Sequence, residues 1–450
     1  AFASKLRLSD VPAATIRHAK ECILDTICCG LFGAIRPEGQ ALAAAYREMG
    51  LDCGPAAVWG TDLRVEMGHA ALANGVMVES FTMDDLHNRS IVHPGAVTVP
   101  AALAVAAFLG NISGRDLLTA IIAGYETAIR VGLSISPSAR LRGHHPVGLC
   151  GPFGAAVVAG SLLGLPEQAM LSAFGNAGSQ GSGLMSAQYG FMTQRLHAGK
   201  ANHSGILAAF LAKNGFCGTT NILEAEYGGF CGTYSGEPHP ERITAGLGEV
   251  FETQNVGIRP YACAGSTCTT IDAVKAIMAG RGVCPDDVAE AVVSCNESIF
   301  HHCGWEYQPD TIITAQFSIQ YGAAVTLLEG DASVDQYTAA KIRDPRILAL
   351  AKRIRVVHDP ELDQKGASHA YYVHVAITTH SGQTYAAAVH WAKGTPSNPL
   401  TEAELAAKCH RLADGVIGVG RVDRLIELVL SLDGVVQARD LLELLEAPAK

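Results

Sequence analysis

The spacing of hydrophobic positions predicts two kinds of structure along this chain. Up to about residue 213, apolar side chains recur every three to four residues, which is typical of amphipathic helices. The stretch 96–110 is apolar on every side and predicts a helix at the centre of the core. Helices are expected at residues 12–33, 41–50, 66–81, 96–110, 113–132, 151–164, 166–175 and 197–213, with no strand pattern before Arg259. Asp10 is expected to cap the first of these helices, and Ser113 with Asp116 forms a capping box at the start of the fifth.

From Arg259 onward the pattern mixes strands with helices. Val373, Val375 and Ile377 alternate with less apolar residues, and the Gly382 turn that follows predicts a hairpin. Strands are expected at residues 289–295, 353–358, 371–379 and 384–391, with helices at 270–279, 318–329 and 345–352. Three more helices are expected at 402–413, 422–432 and 438–445.

These elements predict a mainly α protein with a large all-helical domain and a smaller α+β domain. A chain of 450 residues is long enough for two domains. Because the last helices resemble those of the first half, we expect the helical domain to be discontinuous. It would comprise residues 1–258 and 400–450, and the α+β domain would span residues 259–399.

Composition and charge narrow the choice of partners. The formal charge of −10 disfavours nucleic acid and anionic membranes, and the apolar runs are too short to span a bilayer. Only 17% of the residues are charged, which indicates apolar surface buried in an oligomer. The thirteen cysteines form no C-x-x-C pair and no zinc-type spacing. We therefore expect a reduced, cytoplasmic protein with no metal.

The most polar break in the first half of the chain is residues 81–95. It combines two carboxylates, two imidazoles and an arginine, namely Asp84, Asp85, His87, Arg89 and His93. Histidine is the side chain that titrates near neutrality, so this combination suits acid–base catalysis. We interpret these residues as an active-site loop.

Two further polar breaks accompany apolar helices. One contains Arg142, His144 and His145, and the other contains Arg195 followed at intervals of two, five and eight residues by His197, Lys200 and His203. The spacing of three between the last three residues predicts that they share a helix face. A single histidine in such a position is more often structural, but three breaks of one kind favour a common site for an anion, rimmed by helix ends.

Other polar segments support weaker hypotheses. Residues 176–183 are glycine-rich but lack the lysine of a phosphate loop, so close helix packing or a substrate-side loop is expected there. Arg259 and Tyr261 offer a cation and a proton-transfer hydroxyl, or else belong to a structured linker. Gln316 is suited either to orienting a carboxylate or to ordinary capping.

Several of these segments together resemble the MmgE/PrpD family. The segments are HPG at 93–95, GHHPVG at 143–148, TQRLHAGKANHSGILAAFLAKNGFCG at 193–218, IRPYACAGSTCTTIDA at 258–273 and AQFSIQYG at 315–322. The family includes 2-methylcitrate dehydratase, cis-aconitate decarboxylase and iminodisuccinate epimerase. The resemblance implies an all-helical domain built from both chain ends, a smaller α+β lid, a site between them without metal or cofactor, and a homodimer.

The resemblance maps the family's acidic loop to Asp84 and Asp85, its histidines to His93 and His145, and its basic residue before Pro-Tyr to Arg259. The remaining candidates below are chosen by residue type and position. The expected catalytic groups are His145, His93, Asp84, Lys200 and Tyr261. The expected substrate-binding groups are Arg142, Arg195, Arg259, Asp85, Gln194, Gln316 and His197. In three places the chain departs from the family pattern: Gln194 stands where a lysine is usual, Cys268 where a histidine is common, and Leu86 where a threonine is frequent.

These departures favour an epimerase of the iminodisuccinate type, which removes a proton beside a carboxylate of a small polycarboxylate and returns it to the opposite face. The alternative is 2-methylcitrate dehydratase or a related hydro-lyase or decarboxylase. A non-enzymatic dimer that binds a metabolite is a third interpretation.

Overall fold

In a computed structural model, which describes residues 1–188, 191–365 and 371–447, the protein is mainly α-helical. The chain divides into two units. Unit 1 comprises Ala1–Ser80, Asp84–Ile258 and Thr401–Lys450, and unit 2 comprises Phe81–Met83 and Arg259–Leu400. The prediction of a mainly α fold is confirmed.

Among the described residues, unit 1 consists of helices joined by loops, with one short hairpin. Its first helices are α1 Phe2–Lys5, α2 Ala13–Ala34, α3 Pro37–Glu48, α4 Met67–Glu79, α5 Val99–Leu109, α6 Gly114–Ile135, α7 Ser138–Leu141, α8 Pro146–Leu162, α9 Glu167–Gly178, α10 Thr193–Lys213, α11 Phe230–Tyr234 and α12 Glu241–Thr244. The hairpin joins β1 Ala56–Ala57 to β2 Arg64–Val65. The expectation of no strand before Arg259 is therefore wrong, because two residues are too few to establish an alternating pattern.

Unit 2 contains a four-stranded sheet and six helices among the described residues. The helices are α13 Gly265–Arg281, α14 Glu297–Cys303, α15 Ile312–Gln316, α16 Ile319–Glu329, α17 Pro345–Ala351 and α18 Pro360–Asp363. The strands are β3 Val288–Cys295, β4 Ile354–His358, β5 Val373–Thr379 and β6 Thr384–Val389. Their order is β4-β3-β5-β6, with β3 parallel to β4 and the other pairs antiparallel.

The chain ends with three helices that belong to unit 1: α19 Glu402–Ile417, α20 Val419–Leu430 and α21 Arg439–Leu444. Helices α19 and α20 pack against α2, so the two ends of the chain share one core. Because α2 comes from the start of the chain, residues far apart in sequence meet inside unit 1.

The centre of unit 1 is formed by α4, α6, α8 and α10. Helix α6 is long and apolar enough to cross a membrane by length and composition, but 89% of its most apolar stretch is buried inside the fold, as in a core helix. It begins where Ser113 accepts a hydrogen bond from the backbone N–H of Asp116 (3.1 Å), the cap that the sequence predicted. By contrast, α2 begins at Ala13 after Pro12, and Asp10 does not cap it.

Close contact between α2 and α4 requires glycine at residue 33. A Cβ atom built on Gly33 would lie 2.1 Å from the carbonyl oxygen of Met77. We predict that Gly33→Ala lowers the free energy of unfolding by about 3 kcal/mol, the upper end for overpacking, because a backbone atom cannot move aside. Chemical denaturation measures this change.

Gly415→Ala is the matched control, since a Cβ atom at this helical position meets nothing within 4 Å. It is expected to raise stability by roughly 0.4–1 kcal/mol. Equal stability of the two variants would contradict the close packing of α2 on α4.

Candidate active site

Asp84 and His93 form an ion pair in the loop that follows α4. Nδ1 of His93 lies 2.6 Å from Oδ2 of Asp84. The Asp84 side chain is only 1% exposed, whereas that of His93 is 18% exposed. A carboxylate at this distance accepts a hydrogen bond from Nδ1–H and so fixes the orientation of the ring. The sequence placed both residues in one polar break, and the structure brings their side chains together.

Asp85 points to the other side of the loop and is completely buried. It accepts a hydrogen bond from the hydroxyl of Tyr125 (2.7 Å) and from the backbone N–H of Gly95 (3.0 and 3.2 Å to its two oxygens). Burial raises the pKa of Asp85, and the hydrogen bond from Tyr125 opposes that rise. Because Gly95 follows His93 by two residues, Asp85 fixes the backbone on which His93 is mounted.

Gly95 is required by this arrangement. A Cβ atom there would lie 2.0 Å from Oγ1 of Thr26 and 2.9 Å from both carboxylate oxygens of Asp85. The motif HPG therefore has a steric explanation: only glycine lets α2 and Asp85 approach this backbone together.

Thr82 and Ile91, one on each side of Asp84 and Asp85, have strained backbones. Their φ angles are +58° and +56°, the positive values found for non-glycine residues in the described part of the chain. Both are β-branched, for which this conformation is a true outlier that costs roughly 1–3 kcal/mol each. Strain of this kind persists only where the surroundings dictate the conformation of the loop.

His87 anchors the loop to the segment before residue 258. Its Nδ1 accepts from the backbone N–H of Ser90 (3.2 Å), and its Nε2 lies 3.3 Å from Oε2 of Glu252. This contact is the main reason that the pKa of Glu252 is lowered to about 2. Arg89 is exposed at the edge, 3.9 Å from Glu252. His87 is thus a buried structural group.

A pair of histidines, His145 and His197, connects two of the polar breaks that the sequence predicted. His145 precedes α8, His197 lies in the first turns of α10, and their Nδ1 atoms are 2.9 Å apart. One imidazole must donate and the other accept, so each fixes the tautomer of its partner. The pKa of His145 is held well below its ordinary value, first by burial and then by the nearby imidazoles and by Arg195 and Arg140. Burial also lowers the pKa of His197.

The glycine-rich segment 176–183 reaches this pair. The carbonyl of Gly183 accepts a hydrogen bond from the backbone N–H of His145 (3.0 Å). The φ of Gly183 is +146°, and a Cβ atom there would lie 3.1–3.2 Å from His197 and His145. The segment therefore packs closely against the pair, in agreement with the expectation of close packing.

Two arginines contribute positive charge to His145. Arg195, in α10, is 3% exposed, and Arg140, in α7, is half-buried. Arg142, which the sequence predicted, is exposed. Arg140 was missed because two arginines two residues apart cannot be ranked without the fold.

Lys200 and Gln194 also lie on α10. Lys200 is exposed; burial first, and then the charge of Lys200, lowers the pKa of His203, a residue that also packs against His69. Gln194 is half-buried in the first turn of the helix. The described contacts therefore pair His197 with His145, whereas Lys200 acts on His203. His197, Lys200 and His203 have the predicted spacing but not a common partner.

In unit 2, the hydroxyl of Tyr261 donates a hydrogen bond to Asp272. Burial, followed by Asp272, raises the pKa of Tyr261. The ammonium of Lys275 lies 4.7 Å from the centre of the Tyr261 ring. Asp272 also accepts from the backbone N–H of Lys393 (2.6 Å), so Tyr261 takes part in a network that ties unit 2 together.

The other two predicted residues of unit 2 are also buried. Nη1 of Arg259 lies 3.5 Å from the carbonyl of Cys263. Gln316 donates to the carbonyl of Phe81 (2.8 Å) and is 1% exposed. Gln316 thereby holds the short segment Phe81–Met83 within unit 2.

Glu79 is a candidate residue that sequence reasoning missed. It is 3% exposed at the end of α4, and potential ligand atoms of Glu79, Asp84 and His93 all lie within 4.8 Å of one another. A carboxylate in an otherwise apolar helix was the available signal. The three groups form the kind of cluster that can hold a metal ion, but the ion pair already engages two of them.

Taken together, the helical unit, the pairing of His93 with Asp84 and the pairing of His145 with His197 beside two arginines define a mainly α protein with a cluster of buried titratable groups. The chain belongs to the MmgE/PrpD family. The model of the MmgE/PrpD N-terminal domain matches residues 1–243, and that of the C-terminal domain matches residues 261–434.

Named relatives are similar over most of their length. A cis-aconitate decarboxylase-like protein of Aspergillus oryzae is 30% identical over 467 residues, which cover 99% of this chain and 95% of the relative. The cis-aconitate decarboxylase of Aspergillus terreus is 30% identical over 470 residues, covering 100% and 95%. A mitochondrial 2-methylcitrate dehydratase of Yarrowia lipolytica is 24% identical over 383 residues, covering 78% and 70%.

We predict that removing divalent metal leaves the activity proposed below unchanged, because His93 already pairs with Asp84 in the one cluster of potential metal ligands among the described residues. The measurement is turnover before and after dialysis against EDTA, with the metal content followed by elemental analysis. Loss of turnover that returns with one added metal would contradict the prediction.

Proposed function

We propose that this protein is a lyase that acts on a small tricarboxylate, with decarboxylation as its reaction. The observation that carries the proposal is the near-complete match to cis-aconitate decarboxylases, combined with two histidines in opposite electrostatic settings. The expected epimerase activity receives no support from the named relatives. They favour the lyase alternative.

Substrate binding is assigned to the cations around His145. Arg195 and Arg140 give a local positive charge in a chain whose formal charge is −10. Such a cluster attracts and orients carboxylates despite the overall field. Arg142, Arg259, Gln194 and Gln316 remain proposed contacts for the rest of the substrate.

In decarboxylation, one C–C bond breaks, CO₂ leaves, and its electron pair stays on the carbon skeleton. A neighbouring carboxylate held by Arg195 would stabilise that charge, and a C–H bond then forms. We assign His93 as the acid, because its hydrogen bond to Asp84 holds the ring in one tautomer and one orientation. His145, which burial and cations keep neutral, is assigned as the partner that accepts or returns a proton.

Some predicted roles change in this proposal. We assign Asp85 to positioning rather than to substrate contact, since its oxygens are engaged by Tyr125 and Gly95. Tyr261 is a less suitable proton donor than expected, because its hydroxyl is bound to Asp272. Lys200 is kept as an alternate group only.

Dehydration is the second candidate, and the 2-methylcitrate dehydratase relatives are the observation in its favour. It would use the same pairs, with an acid assisting the departure of hydroxide. Because the named relatives are enzymes, a non-enzymatic sensor is less well supported. The homodimer and the cytoplasmic location remain proposals.

We expect the purified protein to convert cis-aconitate with release of CO₂ and, in D₂O, with one deuterium bound to carbon in the product. Proton NMR and captured CO₂ measure both. Turnover of 2-methylcitrate with loss of water and no CO₂ would instead establish the hydro-lyase. Inversion of a carbon centre without formation of an alkene and without release of CO₂ would contradict both proposed lyase activities.

Variants of the proposed acid and its partner belong to the same experiment. Asp84→Asn and His145→Gln are each expected to reduce kcat roughly 10²–10⁴-fold, the usual contribution of a positioned acid or base. His239→Gln, which replaces an exposed histidine, is the control and should leave kcat unchanged. Full activity of His145→Gln would refute the site.

The positive charge of Arg195 is expected to influence the pKa of His145. We predict that Arg195→Met raises the pKa of His145 toward 6.5, because a positive charge that disfavours the imidazolium is removed. Any acidic limb of kcat governed by His145 then moves to higher pH. Imidazole NMR titration measures the shift without substrate. An unchanged or lower pKa would contradict the assigned geometry.

A further inference from the structure

The backbone of His145 is held on both sides of its Cα atom. Pro146 opens α8, and a residue before proline is pushed towards extended backbone; His145 has φ −90° and ψ 109°. Its N–H donates to the carbonyl of Gly183 (3.0 Å), and its carbonyl accepts from the N–H of Leu149 (3.2 Å). Rotation of the side chain is then the freedom that is left to the imidazole ring.

Residues 181–185, which we call the strap, run antiparallel to the segment that contains His145. Two further backbone hydrogen bonds flank the one at His145: from the N–H of Met185 to Gly143 (2.9 Å) and from the N–H of Ser182 to Gly148 (3.1 Å). The strap therefore binds the backbone before His145, at His145 and after it. The glycine-rich sequence of this segment thereby acquires a structural role.

The strap lies this close to α8 because residue 148 is glycine. A Cβ atom there would lie 2.0 Å from the carbonyl oxygen of Ser182 and 3.2 Å from Cβ of His197. Overpacking against a backbone atom shifts the backbone itself. A side chain at residue 148 would thus press on the strap and on His197 at once.

His197 restricts the rotation that the backbone leaves to His145. The two Nδ1 atoms are 2.9 Å apart, and their hydrogen bond holds the His145 ring in one orientation. Because Nδ1 is engaged, Nε2 is the nitrogen that is left for a substrate. In the described part of the chain, no residue forms a hydrogen bond with Nε2 of His145.

We infer that the strap and His197 together position His145, the strap through its backbone and His197 through its ring, so that Nε2 faces the substrate. The inference rests on the role of His145 in the proposed reaction. It assigns His197 to positioning rather than to the substrate binding expected from the sequence.

The two roles of His197 predict different kinetics. His197→Leu, which removes the hydrogen bond, is expected to lower kcat on the order of 10²-fold, the cost of misplacing a catalytic group by about 1 Å. KM should stay within about threefold of the wild-type value, because a positioning group makes no contact with the substrate. A raised KM with unchanged kcat would indicate direct binding and would overturn the inference.

A conservative variant tests the hydrogen bond itself. His197→Asn places an amide, with a donor and an acceptor, near the position of Nδ1. Its kcat is expected to be about tenfold above that of His197→Leu, the effect of one hydrogen bond. Equal kcat in the two variants would contradict the role of the bond. His410→Leu is the control and should keep full kcat, since it replaces another half-buried helical histidine that bonds through Nδ1 (2.9 Å to Asp414).

Gly148→Ala tests the strap, because its Cβ would displace the carbonyl of Ser182. The folded variant is expected to lose kcat on the order of 10²-fold, as His197→Leu does. Gly205→Ala is the matched control: its Cβ would lie 2.6 Å from the backbone nitrogen of Ala156, at a contact of α10 with α8 about two turns beyond His197. It should lower stability without lowering kcat, and an equal loss of kcat would contradict the inference.

The pair of histidines also gives a readout without substrate. This readout is the hydrogen-bonded Nδ1–H signal of the pair in imidazole NMR, assigned by its loss in His145→Gln. It should persist in Gly205→Ala and disappear in His197→Leu and in folded Gly148→Ala. Persistence of the signal and of kcat in Gly148→Ala would refute the role of the strap.

A second strap variant decides if Gly148→Ala does not fold. Gly183→Ala strains the backbone whose carbonyl binds His145, because φ at this residue is +146°. The same loss of signal and kcat is expected, and retention of both would refute the strap. If the wild type converts neither tricarboxylate, the signal alone supports or refutes the positioning of His145. Failure of the proposed reaction is thereby distinguished from failure of this inference.

Discussion

The geometry of the 81–95 loop depends on one buried hydrogen-bond acceptor, Asp85. A carboxyl group without exposure is stable only when its oxygens are engaged, and here Tyr125 and Gly95 engage them. From the opposite side, His87 ties the loop to Glu252. Because the backbone is held at both places, it can maintain the strained conformations of Thr82 and Ile91 on either side of Asp84. The pairing of Asp84 with His93 follows from this fixed backbone conformation.

The two histidines of the proposed site owe their difference to their surroundings. His93 has a carboxylate at 2.6 Å, which orients its ring. His145 is kept in the neutral form by burial and then by the nearby imidazoles and two arginines. In the proposed mechanism, one residue type thereby supplies both the acid and its partner. The arginines have a double use, because the charge that keeps His145 neutral also attracts carboxylates.

Much of the helical structure could be predicted because local patterns carry it. The periodicity and the Ser113 cap defined α6, and alternation defined the hairpin of β5 and β6. The side chains of the site were identified by type, since polar clusters interrupt apolar helices. The contacts that these side chains make could not be predicted, because the contacts join residues distant in sequence. The sequence offers no reason to choose Arg140 over Arg142, or to connect Asp25 with Lys408.

The discontinuity of unit 1 has a consequence for biosynthesis. The helix with Asp25 leaves the ribosome early, whereas α19, with Lys408, follows only after all of unit 2 has been made. Domains generally begin to fold from the N-terminus during translation. Until α19 arrives, α2 lacks a helix against which it packs in the finished core, where Lys408 pairs with Asp25. The core of unit 1 is therefore complete only after the last helices have emerged.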